Sequence, residues 1–570
     1  MSINAKVAGL LYEIGEILTI KGDRFRSRAY SMAAQRVTAL TEDISDIKEK
    51  GELEDIPGIG ESIASTITEY LDTGESIVLQ ELRESLPKGV PEMIELEGIG
   101  PKLAMRLHKE LGAVSIETLE EAAKNHEIRE LKGFGEKSEE NILRAIEEYR
   151  SRTDRFLLGE VLPIITGILS YMRDSSAVRQ VEVAGSARRR KETVGDLDVL
   201  VSSLEPEPVS DHFIAMPPVA RILAHGPTKS TVVLENKLQV DLRVIPPESY
   251  GAALQYFTGS KEHNVKLRTI GVKAGFKLNE YGLFDRESGE LVAAEQEEEI
   301  YKAMGMDWMP PELRENTGEI EAAMEGNLPN LVEGVDLKGD LHIHTDWSDG
   351  RASLEEMIKK AVSMGHEYIT ITDHTKTLAI ANGLDEERLR RQMDEIRRLD
   401  DQYPEISVLK GTECDILGDG SLDISDDLLR DLDWVIASIH SGFRQDSETI
   451  TQRIIDAIHN DYVDTIGHPT GRLIQRRQGY SLNIDAVLEA ASNQNVMMEV
   501  NCYPDRLDLS DINCRRAKEF GVMVSLGSDA HVPSELEFLP LGLSVARRGW
   551  LEAKNVANTY QVEDLLKIRS

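Results

Sequence analysis

Cysteine is nearly absent: Cys414, Cys502 and Cys514 are the only three in 570 residues, and no two stand in a Cys-x-x-Cys pair. That argues against a disulfide framework and suits a reducing cytoplasm. No apolar run is long enough to span a bilayer, and the opening Met1–Lys6 lacks a signal-peptide core; the expectation is a cytoplasmic protein with no membrane partner. Basic charge is also short. Sixty-five Lys and Arg face 101 Asp and Glu, for a formal net charge of −36. Nucleic-acid proteins normally carry a basic footprint, so any DNA contact here must rest on local basic patches and bound metals. With 41% hydrophobic and 29% charged residues, the chain reads as soluble and globular, with room for about four domains.

What is present is more specific. Gly185-Ser186 opens a turn, Arg188 to Lys191 are basic, and Gly195 precedes Asp196-Leu197-Asp198 at the start of an apolar strand. Side chains alternate along a strand, so Asp196 and Asp198 share one face while Leu197, Val199 and Val201 enter a core. Two carboxylates on one face attract Mg²⁺, which brings substrate phosphates with it, and Gly185, Ser186 and the arginines are placed to hold those phosphates. A second strand, Lys237 to Ile245, puts Asp241 opposite its apolar set. Beside the first strand it completes a three-carboxylate site for two metals.

Upstream, a Gly-apolar-Gly pattern recurs: Gly58-Ile59-Gly60, Gly98-Ile99-Gly100 and Gly133-Phe134-Gly135, each after an apolar position and before a helix start. Glycine permits positive φ and close backbone approach, and the following helix aims free amides outward, which makes an anion site. One copy is no more than a tight turn, but three favour DNA-backbone binding. Lys21 to Tyr30 interleaves basic residues with Phe25 and Tyr30, a composition suited to a DNA end.

Past Asn316 the motifs change. Six of the 13 histidines, His342, His344, His374, His440, His468 and His531, fall at ends of apolar strands together with Asp349, Glu413 and Asp529. Helices such as 353–364 alternate with those strands, so the spacing predicts a parallel β/α barrel with a site at the strand ends. Imidazole with carboxylate suits Zn²⁺, Mn²⁺ or Fe. Asn501 and Cys502 follow another such strand, beside the site, with Cys502 equally readable as an inert buried thiol.

The residues from Gly185 to Asp198, Val240 to Arg243, Tyr256-Phe257-Thr258-Gly259-Ser260 and Asn279-Glu280-Tyr281 resemble the family X, polymerase beta-like DNA polymerases, and the glycine repeats resemble helix-hairpin-helix motifs. The resemblance implies that Asp196 and Asp198 bind two Mg²⁺ or Mn²⁺ and that Asp241 helps deprotonate the primer 3′-hydroxyl. Ser186, Arg189 and Gly195 would meet the triphosphate, Tyr256, Phe257 and Gly259 the sugar edge, Asn264 the nascent pair and Arg268 the template. The helix after the first hairpin, Glu61 to Glu69, has no lysine, which excludes Schiff-base lyase chemistry from it. The histidine set resembles the PHP domain, a seven-stranded barrel with up to three Mn²⁺, Zn²⁺ or Fe ions. That implies one ion on His342, His344, Glu413 and Asp529, a second on Asp349, His374 and His531, and a third on Glu413, His440 and His468.

The expected architecture is therefore multidomain. A helical N-terminal domain at 1–85 holds the first hairpin, and 86–150 is a helical DNA-binding domain with the other two. An α+β nucleotidyltransferase palm occupies 151–250 and a nucleotide-selecting subdomain 251–315. Residues 316–334 read as an acidic, glycine-dotted linker, and 335–570 as the PHP barrel. The expected function is gap filling in base-excision repair on gapped or nicked DNA with deoxynucleoside triphosphates. The chain would act as a monomer, with 3′–5′ exonuclease, AP-endonuclease and 3′-end-cleaning activity in the barrel. The rival readings are a small-molecule phosphatase barrel and a non-catalytic DNA-end scaffold.

Overall fold

The structure is a computed structural model of the chain. It describes residues 3–568, apart from positions 22, 39–43, 52, 57, 74, 75, 77, 80, 81, 83–85, 88, 95, 97, 98, 100, 132, 154, 379, 380 and 444. The chain forms two compact units, Met1–Asp154 and Arg155–Ser570.

The first unit is helical. Helix Ile3–Ile20 repeats Val7, Leu10, Leu11, Ile14, Ile17 and Leu18 at three- and four-residue spacing, and all six are buried. They enter an apolar cluster that ends at Leu86, while a second cluster runs from Val90 to Ile146. At all three glycine repeats a main-chain amide (Ile59, Ile99, Phe134) donates to the carbonyl three residues earlier (Ile56, Leu96, Leu131) at 3.0 Å. Gly58 and Gly133 have φ of +93° and +87°, the left-handed backbone that the repeat needs. Gly60 and Gly135 are exposed, whereas Gly98 and Gly100 lie outside the described residues. The basic stretch divides in two. Phe25 is 87% exposed between exposed Arg24 and Arg26, but Tyr30 is buried in the core, its hydroxyl 3.3 Å from that of Thr66.

The second unit begins with the palm. Its five strands are ordered Gln180–Val183, Asp196–Ser202, Gln239–Ile245, Lys229–Leu234, Val219–Ala224, and the second and third are parallel. A thumb follows, with helices Tyr250–Thr258, Lys261–Lys273 and Glu297–Ala303 around a three-stranded sheet. Then seven parallel strands run in chain order from Gly339–Ile343 to Val524–Gly527. Ile343 bridges Ala530, His344 N–H donates to the Ala530 carbonyl and Asp529 N–H to that of His342, each at 2.9 Å, so the sheet nearly closes. Strands such as Tyr368–Ile371 and Trp434–Ser438 are buried at every position, as a sheet covered on both faces requires. One apolar cluster joins palm residues Val161, Leu197 and Val240 to barrel residues Val500, Leu507 and Leu541.

Residues 316–334 are not a free linker. They contain helix Glu319–Glu325, whose Ile320 and Ala323 enter the thumb core with Leu328 packed beside them, and Leu331 and Val332 are buried as well. The acidic composition misleads because Glu319 points inward. Its carboxylate is fully buried, 2.7 Å from His263 Nδ1, and accepts the amides of Asn316 and Thr317 at 2.9 and 2.7 Å.

Candidate active sites

In the palm, strand register sets the chemistry. Asp198 lies directly opposite Asp241 on the neighbouring parallel strand, and Asp196 opposite Gln239. Asp196 is exposed and Asp198 half-buried. Burial first, then the charges of Asp196 and Asp241, push the Asp198 carboxyl up to about 6. Asp198 resists ionising beside two further carboxylates, a strain that a divalent cation relieves. Asp241 is oriented by Thr231 Oγ1 and by Gln239 Nε2, which donates at 2.9 Å. Gly185 turns with φ +61°, and a Cβ there would stand 2.8 Å from Asp198 Oδ2. The turn thus brings backbone against the carboxylate where any side chain would intrude, with half-buried Ser186 next in the turn and Gly195 just before the strand.

The remaining nucleotide-contact candidates have protein partners of their own. Arg189 is turned to the thumb: Nε donates to Glu315 at 2.9 Å and Nη1 to the Thr258 carbonyl at 2.5 Å, because a buried guanidinium needs acceptors. Arg188 is held by Glu297 at 2.7 Å. Asn264, only 9% exposed, donates to the Tyr256 carbonyl at 2.7 Å and accepts from Gln255 at 2.8 Å, so it secures the end of helix Tyr250–Thr258. Phe257 lies under Arg243, whose Cζ is 4.4 Å from the ring centroid, and Tyr256 meets Phe257 edge-on at 5.1 Å. Gly259 has φ +71°, and Arg268 is exposed with Nε donating to the Asn264 carbonyl at 3.2 Å.

The barrel brings all nine of its candidate ligands together around Glu413. One carboxylate oxygen faces His342 and His344 Nε2 at 3.4 and 3.6 Å and His374 Nδ1 at 3.0 Å. The other faces His440 and His468 Nε2 at 3.2 and 2.9 Å. Asp529 Oδ1 lies 3.1 Å from His344 Nε2 and 3.7 Å from His342 Nε2. Asp349 lies 3.7 Å from His374 and 3.4 Å from His531. Three groups have ligand atoms within one ion's reach: His344, Asp349, His374 and His531; His342, His344 and Asp529; and His374, Glu413 and His440.

The donor set fits cations. Nε2 of His342 and of His344 face each other at 3.0 Å, and among the described residues Nδ1 of His344 and of His468 are buried without a hydrogen-bond partner. Burial pulls His342 down, but Glu499, Glu413 and Asp529 outweigh it and hold it well above the ordinary imidazole range. Burial likewise opposes charge on His440 and His531, yet Glu413 and Asp415 raise the first to about 10, and Asp349 and Asp529 raise the second to about 10. Burial, His374 and His531 push His344 down to about 3. Glu413, Asp349 and Asp529 stay below the usual carboxylate range despite burial, held there by these imidazoles.

Two carboxylates behind the ligands escape sequence reading. Asp415 accepts from His440 Nδ1 at 2.8 Å, and Glu499 sits 2.5 Å from His342 Nδ1 while accepting the His468 amide at 2.6 Å. Each fixes which ring nitrogen faces Glu413. Gly527 is glycine because a Cβ there would lie 2.4 Å from His342 Cβ and 2.5 Å from Glu499 Oε1. Asn501 donates to Asp529 Oδ2 at 3.0 Å. Cys502 is wholly buried, its thiol pushed up by burial and packed against Val500 and Gly542, so it is structural.

The palm carboxylates and the histidine-ringed barrel define two metal-dependent phosphate-processing sites in one compact unit. Family comparison agrees with each part. Residues 2–76 match the helix-hairpin-helix domain, 90–148 the SAM-like helix-hairpin-helix tandem, 253–315 the DNA polymerase beta thumb and 340–502 the PHP domain. Over 559 residues, 98% of this chain and 97% of the relative, the chain is 39% identical to the DNA polymerase/3'-5' exonuclease PolX of Bacillus subtilis (strain 168). A probable phosphatase of Thermoanaerobacter sp. (strain X514) shares 32% identity over 232 residues, 39% of this chain and 89% of its own length. One from Photobacterium profundum shares 30% over 209 residues, 35% of this chain and 79% of its own. The chain therefore belongs to the PolX group of family X DNA polymerases, in which a polymerase beta-like core with helix-hairpin-helix domains is joined to a PHP domain. No helix among the described residues is long and apolar enough to cross a membrane.

Proposed function

We infer that this chain is a template-directed DNA polymerase that carries a metal-dependent 3′–5′ exonuclease on the same polypeptide. The observation that carries the reading is the presence, in one compact unit, of the Asp198–Asp241 register pair and of five imidazoles around Glu413. In the palm, Asp196, Asp198 and Asp241 would hold two Mg²⁺ or Mn²⁺, with Gly185 and Ser186 bringing the turn's backbone to the triphosphate. Asp241, oriented by Thr231 and Gln239, would take the proton of the primer 3′-hydroxyl. Arg189 would join the triphosphate only after leaving Glu315. Tyr256, Phe257 and Gly259 would meet the sugar, Asn264 would position Tyr256, and exposed Arg268 would meet template phosphate. In the barrel, the nine ligands would hold up to three Mn²⁺, Zn²⁺ or Fe ions. Divalent ions in such sites supply an activated oxygen nucleophile and neutralise charge on the phosphate.

The substrate would be gapped or nicked DNA in base-excision repair, held through the exposed hairpin glycines Gly58, Gly60, Gly133 and Gly135, with Gly98 and Gly100 as the equivalents in the second repeat, and copied from deoxynucleoside triphosphates. The protein would work as a cytoplasmic, nucleoid-associated monomer. Cutting of abasic sites and removal of 3′ blocking groups belong to the same barrel chemistry. The match to probable phosphatases over a length close to that of the barrel favours 3′-phosphate removal in particular.

A 5′-labelled primer on a gapped template with Mn²⁺, with and without nucleotides, separates the two sites. Asp241→Ala should lose about 10²–10⁴-fold in extension and still shorten the primer. His344→Ala should do the reverse. Retention of both activities by both variants overturns the assignments.

A further inference from the structure

The loop after the sixth barrel strand, Met497–Asn501, carries an arginine that neither the packing nor the ligand set accounts for. Arg506 Nε lies 3.6 Å from Asp529 Oδ2, too far for a hydrogen bond, and among the described residues its guanidinium makes none. Asp529 is already committed: Oδ2 accepts from Asn501 at 3.0 Å and Oδ1 faces His344 at 3.1 Å. The Arg506 side chain is nonetheless only 27% exposed. Burial works against its charge, but Asp529, Glu413, Asp505 and Asp508 outweigh that and keep it firmly protonated.

The loop beneath it is braced. Arg506 N–H donates to the Tyr503 carbonyl at 2.9 Å, and its own carbonyl accepts Arg472 Nε at 3.0 Å. The Leu507 carbonyl also accepts from Arg472, and Asp505 O accepts the Ile474 amide at 2.6 Å. Asp508 holds the Thr470 amide and hydroxyl, each at 2.9 Å. Leu507 adopts φ +43°, a backbone that an L-residue takes only when its surroundings impose it. A five-donor cation is thus fixed beside the metal-ligand carboxylates with its hydrogen-bonding capacity unfilled.

We propose that Arg506 binds the scissile phosphate of the DNA 3′ end, through the guanidinium donors that no protein group takes up. The proposal rests on the reading of the barrel as a phosphodiesterase. A guanidinium matches two phosphate oxygens at once, and a donor aimed at oxygens that gain charge in the transition state acts on rate as well as binding. The ligands Glu413, Asp349 and Asp529 are anionic and repel DNA until metals load, and Arg506 sets a permanent cation beside them. It would be a catalytic residue by direct contact, distinct from Asp415 and Glu499, which act through histidines.

The test compares wild type, Arg506→Ala, Arg506→Lys and His344→Ala as full-length protein, each with metal content measured by mass spectrometry and folding by thermal unfolding. Primer shortening is followed over a range of DNA concentrations, and inorganic phosphate is titrated as inhibitor. The expected result for Arg506→Ala is wild-type metal content and unfolding midpoint, kcat/KM down about 10²–10³-fold with kcat itself lowered, and phosphate inhibition weakened at least tenfold. Arg506→Lys should recover part of both losses, since charge returns without the fork. Loss of metal from Arg506→Ala would make the residue only a brace for Asp529 and overturn the proposal, as would unchanged kcat/KM and phosphate inhibition. If His344→Ala still shortens the primer, the reading of the site fails instead; if only His344→Ala fails to shorten it, the site stands and Arg506 is excluded.

Discussion

The palm and the barrel both gather carboxylates for metals, but they handle the resulting charge in opposite ways. The palm has no imidazole among its three carboxylates, leaves Asp196 exposed, and pushes Asp198 up to about 6. The barrel buries its site and balances it internally, with Glu413 and Asp529 held low and His440 and His531 held high by one another. A site of the first kind is suited to ions that arrive with the nucleotide; one of the second keeps its shape between turnovers. Hub residues should therefore be irreplaceable in the barrel, while small steric changes should matter most in the palm.

The largest expected effect falls on Glu413. Glu413→Gln removes the charge that five histidines face, so shortening should drop by about 10²–10⁴-fold with loss of bound metal, while extension continues. Metal content and the two primer assays measured together check this. Next come the braces. Asp415→Asn and Glu499→Gln should weaken metal binding about 10–100-fold, with shortening restored by excess Mn²⁺. A metal titration that leaves either variant unrestored would move that residue into the ligand set and blur the contrast with the palm. In the palm, Gly185→Ala should cost about 1–2 kcal/mol from positive φ alone, beyond the contact at 2.8 Å with Asp198 Oδ2. About tenfold slower extension with unchanged shortening is the expected reading.

Both sites were legible where spacing carries chemistry. Asp196, Asp198 and Asp241 follow strand alternation, and the histidines stand where parallel strands end. Asp415 and Glu499 were not. Each lies two residues from a residue already singled out, Glu413 or Asn501, but among 101 acidic residues a carboxylate is no signal, and Glu499 reaches His342 across 157 positions. The Arg189 contact with Glu315 was illegible for a related reason: the two are 126 residues apart. The stretch 316–334 misled because composition reports solvent preference on average, and Glu319 is the exception that His263 makes possible.

That pair supplies the smallest effect and sharpens the comparison, since it sets histidine against carboxylate with no metal-binding task. Glu319 accepts two backbone amides besides His263, while His263 Nε2 lies 3.2 Å from the Tyr301 hydroxyl. Burial holds His263 below its ordinary value of 6.5; Glu319, opposed by burial but bonded to His263, sits below 4.5. This imidazole is held low by burial, where the carboxylates around His440 and His531 hold theirs high. Below pH 6.5 the unfolded chain takes up a histidine proton that the folded thumb refuses, and below 4.5 it takes up a carboxylate proton as well. The pair's stabilisation is therefore complete above pH 6.5 and is lost as acid is added. Glu319→Gln should cost about 2 kcal/mol near neutrality, the scale of a charge-assisted buried hydrogen bond. The difference from wild type should shrink as the pH falls through the folded Glu319 value. Urea unfolding followed by far-UV circular dichroism at a series of pH values checks the sign, and a difference that grows with acid would mean that His263 is protonated in the folded thumb.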